Sequence, residues 1–215
     1  MTLKTAIVTA GPTREWIDPV RYLSNASSGA MGYALAAALQ QAGVQTTLVS
    51  GPVDLAPPDV ATFIACESAA DMEAAVQQSL PADVAVCTAA VADWRPAKKA
   101  YQKLKKELDQ KAMTIELERS PDILETLGRL EVGRPSLVIG FALESENLVD
   151  NAVQKRRNKN ADWIFANPVA TLSSDSADLT WINQHGAHPW QEMSKQDAAQ
   201  RIVQEILIAT QQEAA

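Results

Sequence analysis

The chain has 215 residues, 47% hydrophobic and 21% charged, with a formal net charge of -7. That is enough apolar material for one α/β domain with its own core, while the acidic excess argues against broad nucleic-acid binding. No apolar run approaches the roughly 20 residues of a membrane span, and the first residues enter a strand-like run with no signal peptide, so a cytoplasmic protein is expected.

In chain order, TAIVTAG (5–11) reads as a buried parallel strand ending in Gly. PTREWIDPVRYLSNASSG (12–29) reads as a long polar loop in which Arg14, Glu15, Asp18, Arg21 and Asn25 crowd together, and long loops of this kind are usually functional. AMGYALAAALQQAG is helical and closed by Gly43. VQTTLVSG and TFIACE are strands joined by the proline-rich PVDLAPPDV. SAADMEAAVQQSLP is an amphipathic helix with Ser68 at its N-cap. DVAVCTAAVAD is a fourth strand running into a loop. This alternation predicts a parallel sheet covered on both faces.

The stretch WRPAKKAYQKLKKELDQK (94–111), dominated by Lys and Arg, breaks the rhythm. AMTIELER reads as an amphipathic strand, and SPDILETLGRL as a helix with a Ser N-cap and Pro at its first position. SLVIGFALES, ENLVDNAVQKRRNKN and ADWIFAN read as strand, helix and strand. DLTWINQHG with AHPWQEM suggests a hairpin, and KQDAAQRIVQEILIATQQ a closing helix. The expected fold class is α/β: a Rossmann-like, mostly parallel sheet with helices on both faces plus a C-terminal β-hairpin element, forming a single domain over 1–215. Cys66 and Cys87 stand in apolar surroundings without a CxxC or metal spacing and read as buried structural thiols. His185 and His188 lack a third ligand and read as surface-loop residues.

Four places can carry chemistry. Ser27, Ser28 and Gly29 immediately precede a helix, which suits either an anion site or a plain tight connection. A nicotinamide site would need G-x-G-x-x-G and an acid at the end of the second strand, and neither is present. Tyr101 and Lys105 are four apart but lie in the basic segment, not on a helix after a strand. AAVADWRP brings Asp93 to the same sheet edge behind the small residues Ala89, Ala90 and Ala92, to face a flat ligand or to cap a loop. Lys103, Lys105 and Lys106 in QKLKK form a solvated face or a flap over phosphates. Lys155 and Lys159 in QKRRNKN share one helical face, where the helix C-terminus already favours cations. Three basic clusters in an acidic chain suggest a polyanionic ligand, and a triphosphate fits.

The motifs GPTREWIDPVRYLSNASSGAMG, AAVADWRP, QKLKK, SPDIL, GFALES and QKRRNKNADWIFAN, in this order, resemble those of the phosphopantothenate–cysteine ligases (phosphopantothenoylcysteine synthetases) of the bacterial, CTP-dependent type. The resemblance runs from Thr5 to about residue 205. It implies a ligase that joins 4'-phosphopantothenate to L-cysteine through an acyl cytidylate, with Mg2+ shielding the CTP. It implies no flavin, since flavin belongs to the decarboxylase half commonly fused ahead of such ligases in bacteria; a separate decarboxylase partner is possible. It implies a homodimer, with the hairpin near 178–192 as a contact element.

By the same resemblance, Asn25 serves the acyl-nucleotide intermediate, and Arg21 belongs to the phosphopantothenate site. Ser27, Ser28, Gly29 and Ala90 line the substrate side, and Ala89, Ala90 and Asp93 form the nucleotide-site strand end. Lys103 is the lysine of a mobile basic flap near 95–112. Pro121, Asp122, Ile123 and Leu124 form the turn facing the nucleotide, Phe141 walls its pocket, and Lys155 and Lys159 reach the phosphates. Asn25, Lys103 and Arg21 are the expected catalytic set; the metal ligands are not indicated. Leu104, Arg119, Ser120 and Trp94 depart from frequent family residues without removing a charged role. The competing readings are a nicotinamide-dependent reductase and a nucleotide-binding relative without chemistry.

Overall fold

In the computed structural model, which describes residues 3–106, 108–171 and 176–212, strand β1 (Thr5–Ala10) leaves the sheet through a hairpin of β2 (Arg14–Asp18) and β3 (Arg21–Ser24). Helix α1 (Ala30–Gln41) then returns the chain to β4 (Gln45–Ser50). β5 (Thr62–Ala65), α2 (Ala69–Gln78) and β6 (Val84–Cys87) follow. Beyond β6 the short strands β7 (Trp94–Pro96) and β8 (Leu117–Arg119) pair with each other. Helix α3 (Ile123–Gly128) leads to β9 (Leu137–Glu144), α4 (Leu148–Asn158) and β10 (Trp163–Pro168). The last elements are β11 (Ser176–Ala177), β12 (Thr180–Asn183), β13 (Gly186–Pro189), β14 (Met193–Ser194) and α5 (Lys195–Gln212).

Among the described residues the main sheet has eight strands in the order β5-β4-β1-β6-β9-β10-β12-β13. It is parallel from β5 to β10, and the β12–β13 hairpin adds two antiparallel strands at one edge. The expected architecture is therefore present. Alternate residues of β1 feed two cores: Ala6, Val8 and Ala10 pack with Leu35 and Leu39 of α1 and Ile202 and Ile206 of α5. Ile7 packs on the other face with Met72 and Val76 of α2 and with Leu124 and Leu127 of α3. A buried parallel strand hides both faces from water, which is why β1 reads as a nearly continuous apolar run. No helix among the described residues is long and apolar enough to cross a membrane.

Three expectations change. Residues 12–29 are not one loop, because Asp18 accepts the N–H groups of Val20 and Arg21 (2.8 and 3.0 Å) and folds the β2–β3 turn around Pro19. The strand expected over 112–119 shortens to Leu117–Arg119, since all three of its residues are exposed and only β7 pairs with it. Helix α3 starts at Ile123, capped by Asp122 through the Glu125 N–H (2.9 Å), and not by Ser120. Ser68, by contrast, does cap α2, in a reciprocal box with Asp71.

Behind the sheet edge, the ends of α3 and α4 are tied together. Arg134 donates to the carbonyls of Gly128, Pro135 and Asn160 and to the Asp162 carboxylate, all at 2.9–3.1 Å. Asn160 returns a 2.6 Å bond to the Gly128 carbonyl, and Arg129 reaches the Asn158 carbonyl (3.1 Å). These bonds occupy carbonyls that a helix end leaves without partners.

Two consequences are measurable. A Cβ on Gly32, in the first turn of α1, would collide with the Thr88 hydroxyl and lie 2.5 Å from the Ala10 methyl. Gly32→Val is therefore expected to cost about 1–3 kcal/mol in chemical denaturation, the usual price of overpacking. At the opposite end of the sheet, Asp83 accepts the N–H groups of Lys4 and Thr5 and the Thr5 hydroxyl (2.8–3.1 Å), locking β6 to β1. Burial alone would raise its pKa, but these hydrogen bonds outweigh it and hold the carboxylate below its ordinary 3.8. The stabilisation is thus complete above pH 3.8 and lost as pH falls through the lower folded value. The unfolding free energy of Asp83→Asn, from urea titration, should lie below that of the parent chain at pH 7 by about 1 kcal/mol, and the gap should narrow at pH 2–3.

Candidate functional site at the carboxyl edge of the sheet

From β1 the chain moves outward to β4, and from β5 it crosses back to β6 on the other side of β1. Ligands bind outside the carboxyl ends of parallel strands at such a reversal. A cavity of about 810 Å³ opens there, lined by the ends of β1, β6 and β9, the start of α1 and the turn before α3.

The start of α1 supplies one wall. Gly29 is its N-cap, with a left-handed φ of 75°. The Ser27 and Ser28 hydroxyls accept the N–H groups of Gly29 and Ala30 at 3.3 and 3.4 Å. The first intrahelical bond runs from the Tyr33 N–H to the Gly29 carbonyl, so the N–H groups of Met31 and Gly32, both lining the cavity, precede the helix ladder. With the helix dipole they offer positive potential to an anion.

The loop after β6 supplies the second wall. The N–H groups of Thr88 and Ala90 are taken by the carbonyls of Thr9 and Gly11 (3.2 and 2.9 Å). Those of Ala89 and Ala92 are taken by the hydroxyls of Thr9 and Thr13 (3.3 and 3.0 Å). Ala89 and Ala90 therefore present methyl groups and carbonyls to the cavity, not N–H donors. Asn25 spans the two walls, its amide nitrogen donating to the carbonyls of Ala90 and Val91 at 3.2 and 3.0 Å. The Asp93 carbonyl takes the Ser120 N–H (2.9 Å) and so sets the 121–124 turn against this loop. The Ser120 hydroxyl, buried in the same wall, has no hydrogen-bond partner among the described residues.

The third wall carries the lysines, which are not equivalent. Lys159 is ion-paired to Asp122 (2.6 Å) and Glu125 (2.8 Å). Burial opposes its charge, but the two carboxylates win and raise its pKa. Lys155 is largely buried, donates to the Phe141 carbonyl at 2.8 Å, and makes no ion pair among the described residues. Burial, only partly offset by Asp122, Glu144 and Asp93, depresses its pKa. An ammonium in that position gains from any phosphate that enters.

Asn25, Ser27, Ser28, Gly29, Ala89, Ala90, Asp93, Pro121, Asp122, Ile123, Leu124, Phe141, Lys155 and Lys159 all line this one cavity. Arg21 and Lys103 do not. Arg21 donates through Nε (3.0 Å) and Nη2 to Asp18, and Lys103 is exposed in the segment between β7 and β8. Glu15 serves structure, accepting the first N–H of α2 (Ala69, 2.8 Å) from a buried position. Tyr101 is fully exposed in coil, so no Tyr–Lys pair is built.

Sequence reasoning passed over Thr9, Thr88 and Glu125. The first two were legible as polar residues at the ends of apolar strands, and Glu125 as a carboxylate one turn beyond Asp122. Both cysteines are partly exposed rather than buried; Cys87 lines the cavity. Desolvation pushes both thiols up to about 12, so neither is a thiolate at neutral pH. Among the described residues no group of three Asp, Glu, His or Cys side chains is placed to hold a metal ion.

The chain can now be set beside known proteins. Escherichia coli (strain K12) coenzyme A biosynthesis bifunctional protein CoaBC is 44% identical to it over 186 residues, 84% of this chain and 46% of that protein. The Bacillus subtilis (strain 168) protein of the same name is 42% identical over 216 residues, 97% of this chain and 52% of that one. The chain spans about half the length of the curated relatives it matches. The crystal structure of the C-terminal domain of a CoaBC protein superposes with a TM-score of 0.82 at 39% identity, covering 97% of this chain and 96% of that one. A Streptococcus pneumoniae DNA/pantothenate metabolism flavoprotein shares the fold at a TM-score of 0.81 and 21% identity. Residues 1–209 match the family described as the DNA/pantothenate metabolism flavoprotein C-terminal domain, and the chain belongs to that family.

Proposed function

We propose that this chain is the phosphopantothenate–cysteine ligase of coenzyme A biosynthesis, working in the cytoplasm. The observation that carries the reading is the convergence of Asn25, the start of α1, the 121–124 turn and Lys155 on one cavity of about 810 Å³. Family membership and the near-complete overlap with a CoaBC C-terminal domain support it.

The carboxylate of 4'-phosphopantothenate attacks the α-phosphorus of CTP, and pyrophosphate leaves. The cysteine amine then attacks the acyl cytidylate, CMP departs and the amide forms. Activation is needed because a free carboxylate is a poor acyl donor to an amine. The chain's own contribution is to bring polyanions together in the right geometry and to meet their charge. The α1 N-terminus and Lys155 meet the phosphates, while Phe141 and the methyl groups of Ala89 and Ala90 wall the base. Asn25 offers an amide N–H to the developing oxyanion, which requires exchanging one of its bonds to the Ala90 and Val91 carbonyls. The described residues do not fit a resident metal, so Mg2+ is a companion of the nucleotide phosphates in this reading, and flavin has no part in it. The segment near 95–112 acts as the flap that brings Lys103 to the phosphates, and Arg21 serves phosphopantothenate. Homodimerisation has two surfaces available: the exposed edge strand β13, and the exposed Val20, Tyr22, Trp94 and Leu117 on the two small hairpins. A decarboxylase acts on the product, fused or separate.

The test is to mix the protein with 4'-phosphopantothenate, cysteine, Mg2+ and either CTP or ATP, and to follow pyrophosphate and amide by mass spectrometry. Amide with CTP and little with ATP is expected. Amide with ATP alone overturns the nucleotide choice, and nucleotide binding without amide in either case overturns the ligase. Asn25→Ala should lower kcat about 10²–10³-fold, as loss of an oxyanion donor does, with nucleotide affinity barely changed. Lys155→Met should weaken nucleotide binding about 10–100-fold, the worth of a hydrogen bond to a charged group, measured by calorimetry. Its thermal midpoint at pH 7 should be unchanged or raised, because a depressed lysine pKa marks a charge that folding disfavours. The parent's stability therefore grows as pH climbs from the folded value towards 10.5, a rise the Met variant lacks.

A further inference from the structure

Asp18 is fully buried, and its two oxygens do different work. Oδ1 accepts the N–H groups of Val20 and Arg21 (2.8 and 3.0 Å), which makes the β2–β3 turn. Oδ2 accepts Nε and Nη2 of Arg21 and, at 3.1 Å, the N–H of Leu104. Arg21 in turn donates from Nη2 to the Leu104 carbonyl at 2.9 Å. Both polar groups of one residue in the basic segment are thus gripped by an Asp–Arg pair more than eighty positions away in sequence. A second, weaker tether lies nearby, where the Ala100 N–H donates to the Ile17 carbonyl (2.9 Å). The gripped residue sits between Lys103 and Lys105. The segment leaves and rejoins the cavity wall at Trp94 and Arg119, both of which line it. Between β7 and β8 it has no helix or strand of its own among the described residues, so its course is set by these tethers.

We propose that Asp18 is a positioning residue: through Oδ2 it holds the Arg21 guanidinium and the Leu104 peptide together, and so fixes where the Lys103 segment stands at the cavity. The inference rests on the ligase reading for its chemical consequence but not for its geometry. Charge favours the arrangement, since the Arg21 hydrogen bond, against the opposing effect of burial, holds the Asp18 carboxyl well below the usual carboxylate range and keeps the clamp ionised at working pH. A purely structural role would reside in Oδ1 and the turn. The two roles separate in Asp18→Asn, where the side-chain carbonyl can keep the turn while an NH2 group replaces the acceptor facing Leu104 and Arg21.

The experiment uses the full chain and two variants, Asp18→Asn and Leu104→Pro, the second removing the N–H that Asp18 accepts, along with the freedom of φ, in an exposed segment. Limited trypsin digestion under native conditions reads cleavage after Lys105, and pyrophosphate release from CTP and 4'-phosphopantothenate reads chemistry. Loss of a buried, charge-assisted bond should raise cleavage after Lys105 at least about tenfold in both variants, with cleavage elsewhere unchanged except after Lys103, which Leu104→Pro makes resistant to trypsin. Pyrophosphate release should fall about tenfold or more in kcat, with KM for cysteine in the complete reaction unaltered. Parent-like cleavage in both variants overturns the clamp. Faster cleavage with parent-like kcat overturns its role in positioning. If the unaltered chain releases no pyrophosphate, the ligase reading fails; if it does so and the variants match it, the ligase stands and this inference fails.

Discussion

Where β1 and β4 end, the Pro12 carbonyl occupies the space that a Cβ on Gly51 would need, and the Gly51 N–H donates to the Ala10 carbonyl at 2.9 Å. The two strand ends turn through almost the same volume. Only because they pass this closely can residues 11–13 cross to the β6 side, where Pro12 bridges Ala90 and Thr13 takes the Ala92 N–H. That crossing sets the 88–92 loop, and the loop sets Asn25 and Asp93. It also directs β2 away from the sheet, so that Glu15 meets the start of α2 and Asp18 meets the basic segment. A bulkier residue at position 51 would move each of these together, since protein interiors do not deform continuously.

The electrostatics of the site are local and not those of the chain. A protein carrying -7 overall repels polyanions at long range. Within the cavity, Lys159 is already neutralised by Asp122 and Glu125, which makes it a strut between α3 and α4 as much as a binding group. Lys155 is the opposite case: largely buried, bonded among the described residues to a carbonyl and to no carboxylate, and with its charge opposed by its surroundings. A partly desolvated cation and the first N–H groups of α1 line the same cavity, so both favour an anion that enters it.

Much of this was legible in the residues. The apolar runs of β1, β6, β9 and β10 and the capped helices between them specify a parallel sheet with little ambiguity, because buried strands and amphipathic helices have different periods. Most of the side chains that the motifs single out line one cavity at the sheet edge, though Arg21 and Lys103 do not. What could not be read was which partner each polar group takes. Arg21, Glu15 and Asp18 are adjacent in a polar stretch and look alike as candidate ligand groups, yet Glu15 caps a helix and Asp18 is spent on Arg21 and Leu104. Ser120 and Asp122 are both good N-cap residues, and only backbone direction decides for Asp122. Such choices depend on contacts between distant segments, which spacing along the chain does not encode.

The bonds around Arg134 have one more consequence. Its guanidinium and the Asn160 amide lash the C-terminal ends of α3 and α4 to each other. The opposite end of α3 carries Asp122, and the last turns of α4 carry Lys155 and Lys159. The wall on which Asp122 and Lys159 meet (2.6 Å) is therefore braced by a residue that does not line the cavity. A change at this splice would shift both helices, and with them the stretch of wall that Asp122, Lys155 and Lys159 form. Divergence in ligand preference between such chains has a route open to it that leaves every wall residue untouched.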